Sequence, residues 1–269
     1  VERGFGKPVE KNELGGSHIH ANGSGAVDNE VGSEQEAFEA IGEFLSYLPQ
    51  NVWQLPPVIE SKDPTDRRDE SLLSVIPRDR RHMYQIKEVI NSVVDLNSFF
   101  EINPGYGESL VVGLARLDGH SVGIMANDTM HHGGAVNATA SEKMMRFVDL
   151  CDTFHIPLLN LVDNPGFLIG TQAEEEGTVR LGSRALMACY QASIPWVSVI
   201  IRRCYGVAGA GHGNADGLNL RYAWPSADWG SLPIEGGVQA AYKRDIESSE
   251  TPIPGAPNWR ICWSSIARR

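Results

Sequence analysis

"IPWVSVIIRRCYGVAGAGHGNADG", Ile194 to Gly217, is the stretch whose reading decides the fold. Its first half is an apolar, β-branched run and is expected as a buried strand. Its second half, from Cys204, holds five glycines. Glycine loses more conformational freedom on folding than any other residue, so a cluster implies a backbone that must turn tightly or approach something closely. Three uses stand open: cradling a dinucleotide phosphate, stabilising a negative oxygen in a reaction, or tight packing alone.

The surrounding chain alternates helix and strand patterns. "SLVVGLARLDGHSVGIMAN" is two apolar runs around Asp118-Gly119, a hairpin signal. "TASEKMMRFVDLCDTF" predicts a helix with a capping box at Thr139 and Glu142, its Met144, Phe147, Val148 and Cys151 on one face. "IPLLNLVDNPGF" reads as a buried strand ending in a turn. "EEEGTVRLGSRALMACYQAS" reads as one helix whose acidic start, Glu174 to Glu176, suits the helix dipole. The alternation indicates an α/β protein. Towards the amino terminus, "SEQEAFEAIGEFLSYLP" predicts a helix capped by Ser33 and Glu36 and stopped by Pro49. Gln50 to Arg81 is polar, proline-marked and expected as a linker.

Two strands thus end in glycine-bearing turns, Asp163–Gly170 and Tyr205–Gly211. Ligands of α/β sheets gather beyond the carboxyl ends of strands. A helix starting there offers unpaired N–H groups to negative charge. The dinucleotide reading fits less well. "GAGHGN" has its glycines at alternate positions, Trp224-Pro225 falls where a second helix–strand unit is needed, and Asp228 alone is a weak ribose partner.

Bulk properties narrow the partners. A net charge of −11 over 269 residues disfavours nucleic acid and anionic membrane, which reward clustered Lys and Arg. Cys151, Cys189, Cys204 and Cys262 form no C-x-x-C pair and read as reduced thiols of a cytosolic protein. No apolar run approaches spanning length. The chain opens on Val1, expected to be a cut end.

A long, ordered set of segments carries a resemblance: "DPTDR", "FFEINPGYG", "VGLARLDGHSVGIMAN", "KMMRFVDLCDTFHIPLLNLVDNPGFLIG", "VIIRRCYGVAG" and "YAWPSA". From about Asp63 to Gly237 the chain resembles the carboxyl-terminal half of biotin-dependent acyl-CoA carboxyltransferases, the β subunits of propionyl-CoA and methylcrotonyl-CoA carboxylases and their decarboxylase and transcarboxylase relatives. "ELGGSHIHANGSG", Glu13 to Gly25, resembles the end of that family's amino-terminal half. The resemblance implies an α/β crotonase-like fold, a β-β-α superhelix. It divides the chain into the tail of an amino-terminal half (1–32), a helix and linker (33–81), and a carboxyl-terminal domain (82–269), whose end, "TPIPGAPNWRICWSSIARR", departs from the family and reads as truncated or frame-shifted.

The implied activity is transfer of a carboxyl group between carboxybiotin and the α-carbon of an acyl-CoA. Val207 and Ala208 fall where the family has its oxyanion donors. Gly166, Phe167 and Gly170 would shape the opposite wall. Tyr205, Gly206, Gly209 and Ala210 would line the site with Gly133 and Gly134. Backbone donors would then carry the catalysis, since the biotin nitrogen can itself take the α-proton. The resemblance implies biotin on a carrier protein, acyl-CoA as substrate and no metal. It also implies a biotin carboxylase subunit as partner, a dimer-based homo-oligomer extending to a hexamer, and a cytoplasmic or, in a eukaryote, mitochondrial-matrix location. A decarboxylase or transcarboxylase subunit, or an inactive fragment that folds and oligomerises, are the alternatives. Three departures stand out. Val207 stands where the family often has glycine; Ala210 stands where propionyl-CoA-type relatives have an aspartate linked to acyl preference, and "GHGNADGLNLRYAWPSADWGSLPIEGG" matches only around "YAWPSA", as in a distinct subgroup; and the family's amino-terminal half, with its own oxyanion hole, is expected to be missing apart from its tail.

Other polar residues are weighed against plain structural roles. His18 with His20, and His131 with His132, lack a ligand-like third partner, so hydrogen-bonded histidines are expected before a metal site. His131 and His132 are candidates to line the pocket, against a plain turn. His212 is the best side-chain candidate to touch a ligand, against a loop histidine capping backbone. Arg202 and Arg203 read as a surface ion pair before a site for CoA phosphates. Met144 and Met145 read as core.

Overall fold

The computed structural model describes residues 2–213, 217–233, 237 and 241–244. Asn214, Cys262 and the carboxyl end read as truncated lie outside the described residues. A seven-stranded sheet forms the centre: β1 (Phe100–Ile102), β2 (Leu110–Leu117), β3 (His120–Asn127), β4 (Leu158–Asn164), β5 (Trp196–Tyr205), β6 (Asn219–Ala223) and β7 (Asp228–Gly230). The first three pair antiparallel, and β3, β4, β5 and β6 run parallel in that order. β7 continues the β6 edge, pairing with Arg203–Tyr205 beyond the five residues that β6 covers.

The hairpin lies where Asp118-Gly119 placed it, with both turn residues at positive φ, 49° and 75°, as a two-residue turn of matching twist requires. Side chains along β2 alternate between two cores. Leu110, Val112 and Leu114 face α3 (Ala138–Thr153) and α4 (Thr178–Gln191). Val111 and Ala115 face α2 (Ile86–Val93) with Ile86, Val89 and Ile90. β4 is buried at every residue, its leucines in the two cores and its Asn160, Asp163 and Asn164 hydrogen-bonded or ion-paired inside. Burying each large aliphatic side chain contributes roughly 1.5–3 kcal/mol, so the two layers fix the sheet from both sides.

The helix Glu34–Tyr47, α1, starts as expected: Ser33 Oγ accepts from the Glu36 N–H, and Glu36 reaches back to the N–H of Gly32, one residue before the cap. The expected cap of α3 is corrected. Asn137 caps it, its side chain accepting from the Ala140 N–H at 2.9 Å. Glu142 instead accepts from Tyr106 Oη. The single helix expected from Glu174 breaks in two at Gly177, whose φ of 81° caps α4. Glu174 and Glu175 therefore close a separate short helix, Thr171–Glu175. Leu72, Val75 and Ile76, in the segment read as a linker, pack against the second core.

α3 also buries Lys143, whose Nζ donates to the Asn103 carbonyl at 2.7 Å. Burial pulls this ammonium down to about 8, partly opposed by Glu101. Below that pH both folded and unfolded chains carry the proton and the burial penalty is complete. From about 8 to the ordinary 10.5 the folded state holds fewer protons, so stability rises with pH. Through that window the denaturation midpoint of the native chain should rise relative to that of Lys143→Met, and a constant difference between the two would contradict the shift.

Candidate active site

β5 runs out of the sheet into the glycines. Tyr205 is the extended N-cap (φ −119°, ψ 152°) of a short helix, Gly206–Ala210. Gly206 has φ 63°, a left-handed conformation that costs any β-branched or bulky residue heavily. The helix can begin abruptly because that position is glycine. Val207 and Ala208 sit in its first turn, where N–H groups have no intrahelical acceptor. Val207 is 67% exposed, and Ala208 is buried.

A cleft of ≈ 910 Å³ opens beside this turn. Gly206, Val207, Gly209 and Ala210 form one wall; Arg221, Tyr222 and Trp229 on β6 and β7 contribute to the other. Its lining holds no carboxylate among the described residues. Cys204 lies at its floor with Sγ 3.5 Å from the Gly209 carbonyl, and burial raises its thiol pKa. Another hollow, ≈ 390 Å³, lies by Arg116 and the hairpin turn. That is the amino-terminal end of β3, the end of a parallel sheet where ligands seldom bind.

The edge strand explains "YAWPSA". β6 ends at Ala223, and the chain bends at Trp224-Pro225, but β5 holds it through the bend. Trp224 N–H donates to Ile200 O at 2.9 Å and Ser226 Oγ to Ile201 O at 2.7 Å. β7 then resumes against Arg203–Tyr205. Asp228, considered above for a ribose, accepts from Tyr205 Oη at 2.7 Å and pairs with Arg80. It braces the glycine turn from behind.

The ends of β4 and β5 are tied by charge. Asp163, with no exposed surface, takes Arg202 Nε on one oxygen at 2.8 Å and Arg203 Nε on the other at 2.6 Å. Arg202 also donates to His82 O and lies over the Tyr84 ring, 5.0 Å from its centre. Arg203 Nη2 donates to Gly133 O at 2.6 Å. The surface ion pair expected for these arginines is therefore corrected: Arg202 and Asp163 are buried, and the cluster is part of the interior.

The residues proposed from sequence separate into two groups. Tyr205, Gly206, Val207, Ala208, Gly209 and Ala210 come together at the cleft, with Tyr205 and Ala208 buried behind its surface. Gly166, Phe167 and Gly170 follow β4 and contribute no surface to that cleft. Phe167 pairs with Val136 and turns its ring onto α4, where a Cβ on Gly182 would fall 2.5 Å from it. Gly133 and Gly134 sit in the turn after β3, Gly134 buried against Asp163 O. His131 faces Glu108 at 3.5 Å. His212 corrects its expectation too: it is buried beside Asn160 and Asn164 and does not reach the cleft. Tyr222 and Trp229 were missed, since an aromatic on an edge strand carries no local signal of what it faces. Among the described residues, no group of three or more His, Cys, Asp or Glu could hold a metal ion.

Residues 1–252 match the carboxyl transferase domain. The chain belongs to that family. It is 39% identical over 251 residues to the propionyl-CoA carboxylase carboxyltransferase subunit of Haloferax mediterranei, covering 92% of this chain and 48% of that protein. It is 37% identical over 262 residues to the human mitochondrial propionyl-CoA carboxylase β chain, with coverages of 92% and 48%. A solved transcarboxylase 12S, a hexamer with methylmalonyl-CoA and methylmalonic acid bound, superposes with a TM-score of 0.88 at 33% identity, over 94% of this chain and 48% of that one. The fold of this carboxyl transferase domain is therefore crotonase-like, and the chain spans about half the length of these relatives.

Removing the buried carboxylate of the carboxyl transferase domain tests the strand-end cluster. Breaking a buried pair strands its partners and costs about 3–5 kcal/mol. Asp163→Ala should lower the unfolding free energy by that amount, read as a lower urea midpoint with an unchanged slope. A loss under about 1 kcal/mol, the worth of an exposed pair, would contradict the interior reading.

Proposed function

We propose that this domain is the carboxybiotin-facing half of a biotin-dependent acyl-CoA carboxyltransferase. One observation carries the reading: the first turn of the glycine helix, which bears the Val207 and Ala208 N–H groups, borders a cleft at the carboxyl ends of parallel strands. The group that fits has a polar oxygen to meet those donors and an apolar body to lie along Tyr222 and Trp229. A biotin ureido ring has both.

Biotin, delivered on a carrier protein, would supply the mobile carboxyl group and an oxygen on which negative charge grows as that group leaves. The chain's own residues do the rest. Val207 and Ala208 donate to the growing charge, each donor being worth about 3–4 kcal/mol of barrier. Gly206 sets their direction, and Tyr222 and Trp229 offer an apolar face for the ring to lie along. No side-chain base is required of this half. The acyl-CoA would sit on a companion half contributed by the same family architecture, so the complete enzyme is an oligomer, dimer-based or hexameric, working with a carrier and a biotin carboxylase. No helix among the described residues is long and apolar enough to cross a membrane.

The test is exchange of a labelled carboxyl group between carboxylated acyl-CoA and biotin, with the companion half present; the direction that runs faster separates carboxylase from decarboxylase. Val207→Pro deletes one donor at a helical position that tolerates proline. It should reduce exchange about 10²–10³-fold with little change in melting temperature. Val207→Ala keeps the N–H and should stay near the native rate. Absence of any exchange by the native chain, or equal rates for the two variants, would overturn the assignment.

A further inference from the structure

His212 follows the glycine helix directly and is buried at 2% exposure. Its Nδ1 lies 2.7 Å from the Asn160 side-chain amide and its Nε2 lies 2.8 Å from Asn164 Nδ2. A neutral imidazole has one donor and one acceptor, so the two asparagines cannot both donate to it. Asn164 has a fixed orientation, because its Oδ1 accepts from the Gly166 N–H at 2.9 Å. Its Nδ2 must therefore donate to Nε2. Asn160 is then turned so that its oxygen, which otherwise has no partner, accepts from Nδ1–H. The ring is fixed as a neutral Nδ1–H tautomer. Burial, with the Arg221 charge second, holds the imidazole down to about 3 and keeps it neutral throughout the working range.

The backbone of the same residue is held as well. His212 O accepts from Ser198 Oγ at 2.8 Å, and Ser198 in turn accepts from Trp196 Nε1 at 3.1 Å. Ala210 O accepts from Tyr190 Oη at 3.2 Å. The far end of the five-residue helix is thus joined to β4 through the ring and to β5 through its carbonyl. Its near end is joined to β5 covalently and to β7 by pairing. A helix this short has little cooperativity of its own, so its direction depends on such anchors.

We propose that His212 is a positioning residue, locking the glycine helix to β4 so that the Val207 and Ala208 N–H groups keep a common direction into the cleft. It also couples the two glycine-bearing turns, because Asn164 serves the ring and the Gly166 N–H together. The purpose assigned to the lock rests on the carboxybiotin reading; the lock itself does not.

Nitrogen NMR of the histidine-labelled chain tests the lock without any activity. The His212 Nδ1 should carry the proton, Nε2 should be bare, and neither should titrate near neutrality. A protonated Nε2, or a ring that titrates there, overturns the proposal even if no variant folds. His212→Ala should then raise amide exchange in residues 209–213 at least about tenfold, the effect of leaving buried partners unsatisfied, while β2 and β3 amides stay unchanged. His212→Gln, whose amide oxygen can reach the Nε2 position, should recover part of that protection. Equal exchange in all three chains overturns the lock. In the complete enzyme, His212→Ala should lower kcat about tenfold with KM for acyl-CoA unchanged; a rise in KM alone overturns the positioning role. If the tautomer and exchange results hold but added biotin shifts neither the Val207 nor the Ala208 amide, the carboxybiotin reading fails and the lock stands.

Discussion

One carboxylate decides what the rest of the site can be. Asp163 is wholly buried at the end of β4, and two guanidinium groups from β5 meet its two oxygens. An isolated buried carboxylate is very costly, and a buried pair is stable only when its geometry and remaining hydrogen bonds are complete. Here they are completed by backbone: Arg203 reaches Gly133 O and Arg202 reaches His82 O. The charge therefore fixes four segments at once: the ends of β4 and β5, the turn after β3, and the strand of chain before α2. A hydrophobic contact could hold strands together, but it would not specify which turn carbonyls face inward.

The glycine helix inherits that rigidity. It leaves β5 two residues after Arg203, so its starting point is set by the charged cluster and its first turn by Gly206. Nothing in a five-residue helix resists rotation about that start. The lateral supports come from elsewhere: Asp228 under Tyr205, the pairing of β7, Tyr190 at the Ala210 carbonyl, and the buried His212 ring. Each support is polar, and together they arrive from β7, α4 and β4. Polar supports suit the task because hydrogen bonds are directional, whereas apolar packing tolerates small rotations.

Sequence reading recovered what periodicity and turn chemistry encode. The Asp118-Gly119 hairpin, the two buried strands and the glycine turn all lie where the residues placed them, and the Ser33 cap forms as expected. Ordered motif similarity carried the family and the fold, since five glycines alone left three uses open. Asn137 displaced Thr139 as a cap, Gly177 split a helix, and Arg202 went inside. Gly177 acted through its own left-handed φ of 81°; in the other two cases a residue with two adequate local roles was decided by a distant partner, Tyr106 claiming Glu142 and Asp163 claiming the arginines. Local pattern cannot rank such options. The same holds for Phe167, whose ring is drawn onto α4 because Gly182 leaves room for it there.

His212 makes the general point sharply. From sequence, a histidine among glycines at the end of a strand looks like a ligand contact, because imidazole is the side chain most often recruited for chemistry near neutral pH. Its surroundings here remove that capacity. Burial keeps the ring neutral, and two asparagines consume both nitrogens, one of them already committed to the Gly166 N–H. What remains is shape and direction: a flat ring with one donor and one acceptor on opposite edges, spanning two asparagines four residues apart on β4. No aliphatic side chain offers that pairing, and a lysine or arginine would bring a charge into a fully buried site. A chemically versatile residue is thus confined to the single role of holding a backbone still, which is the property a site built from backbone donors needs most.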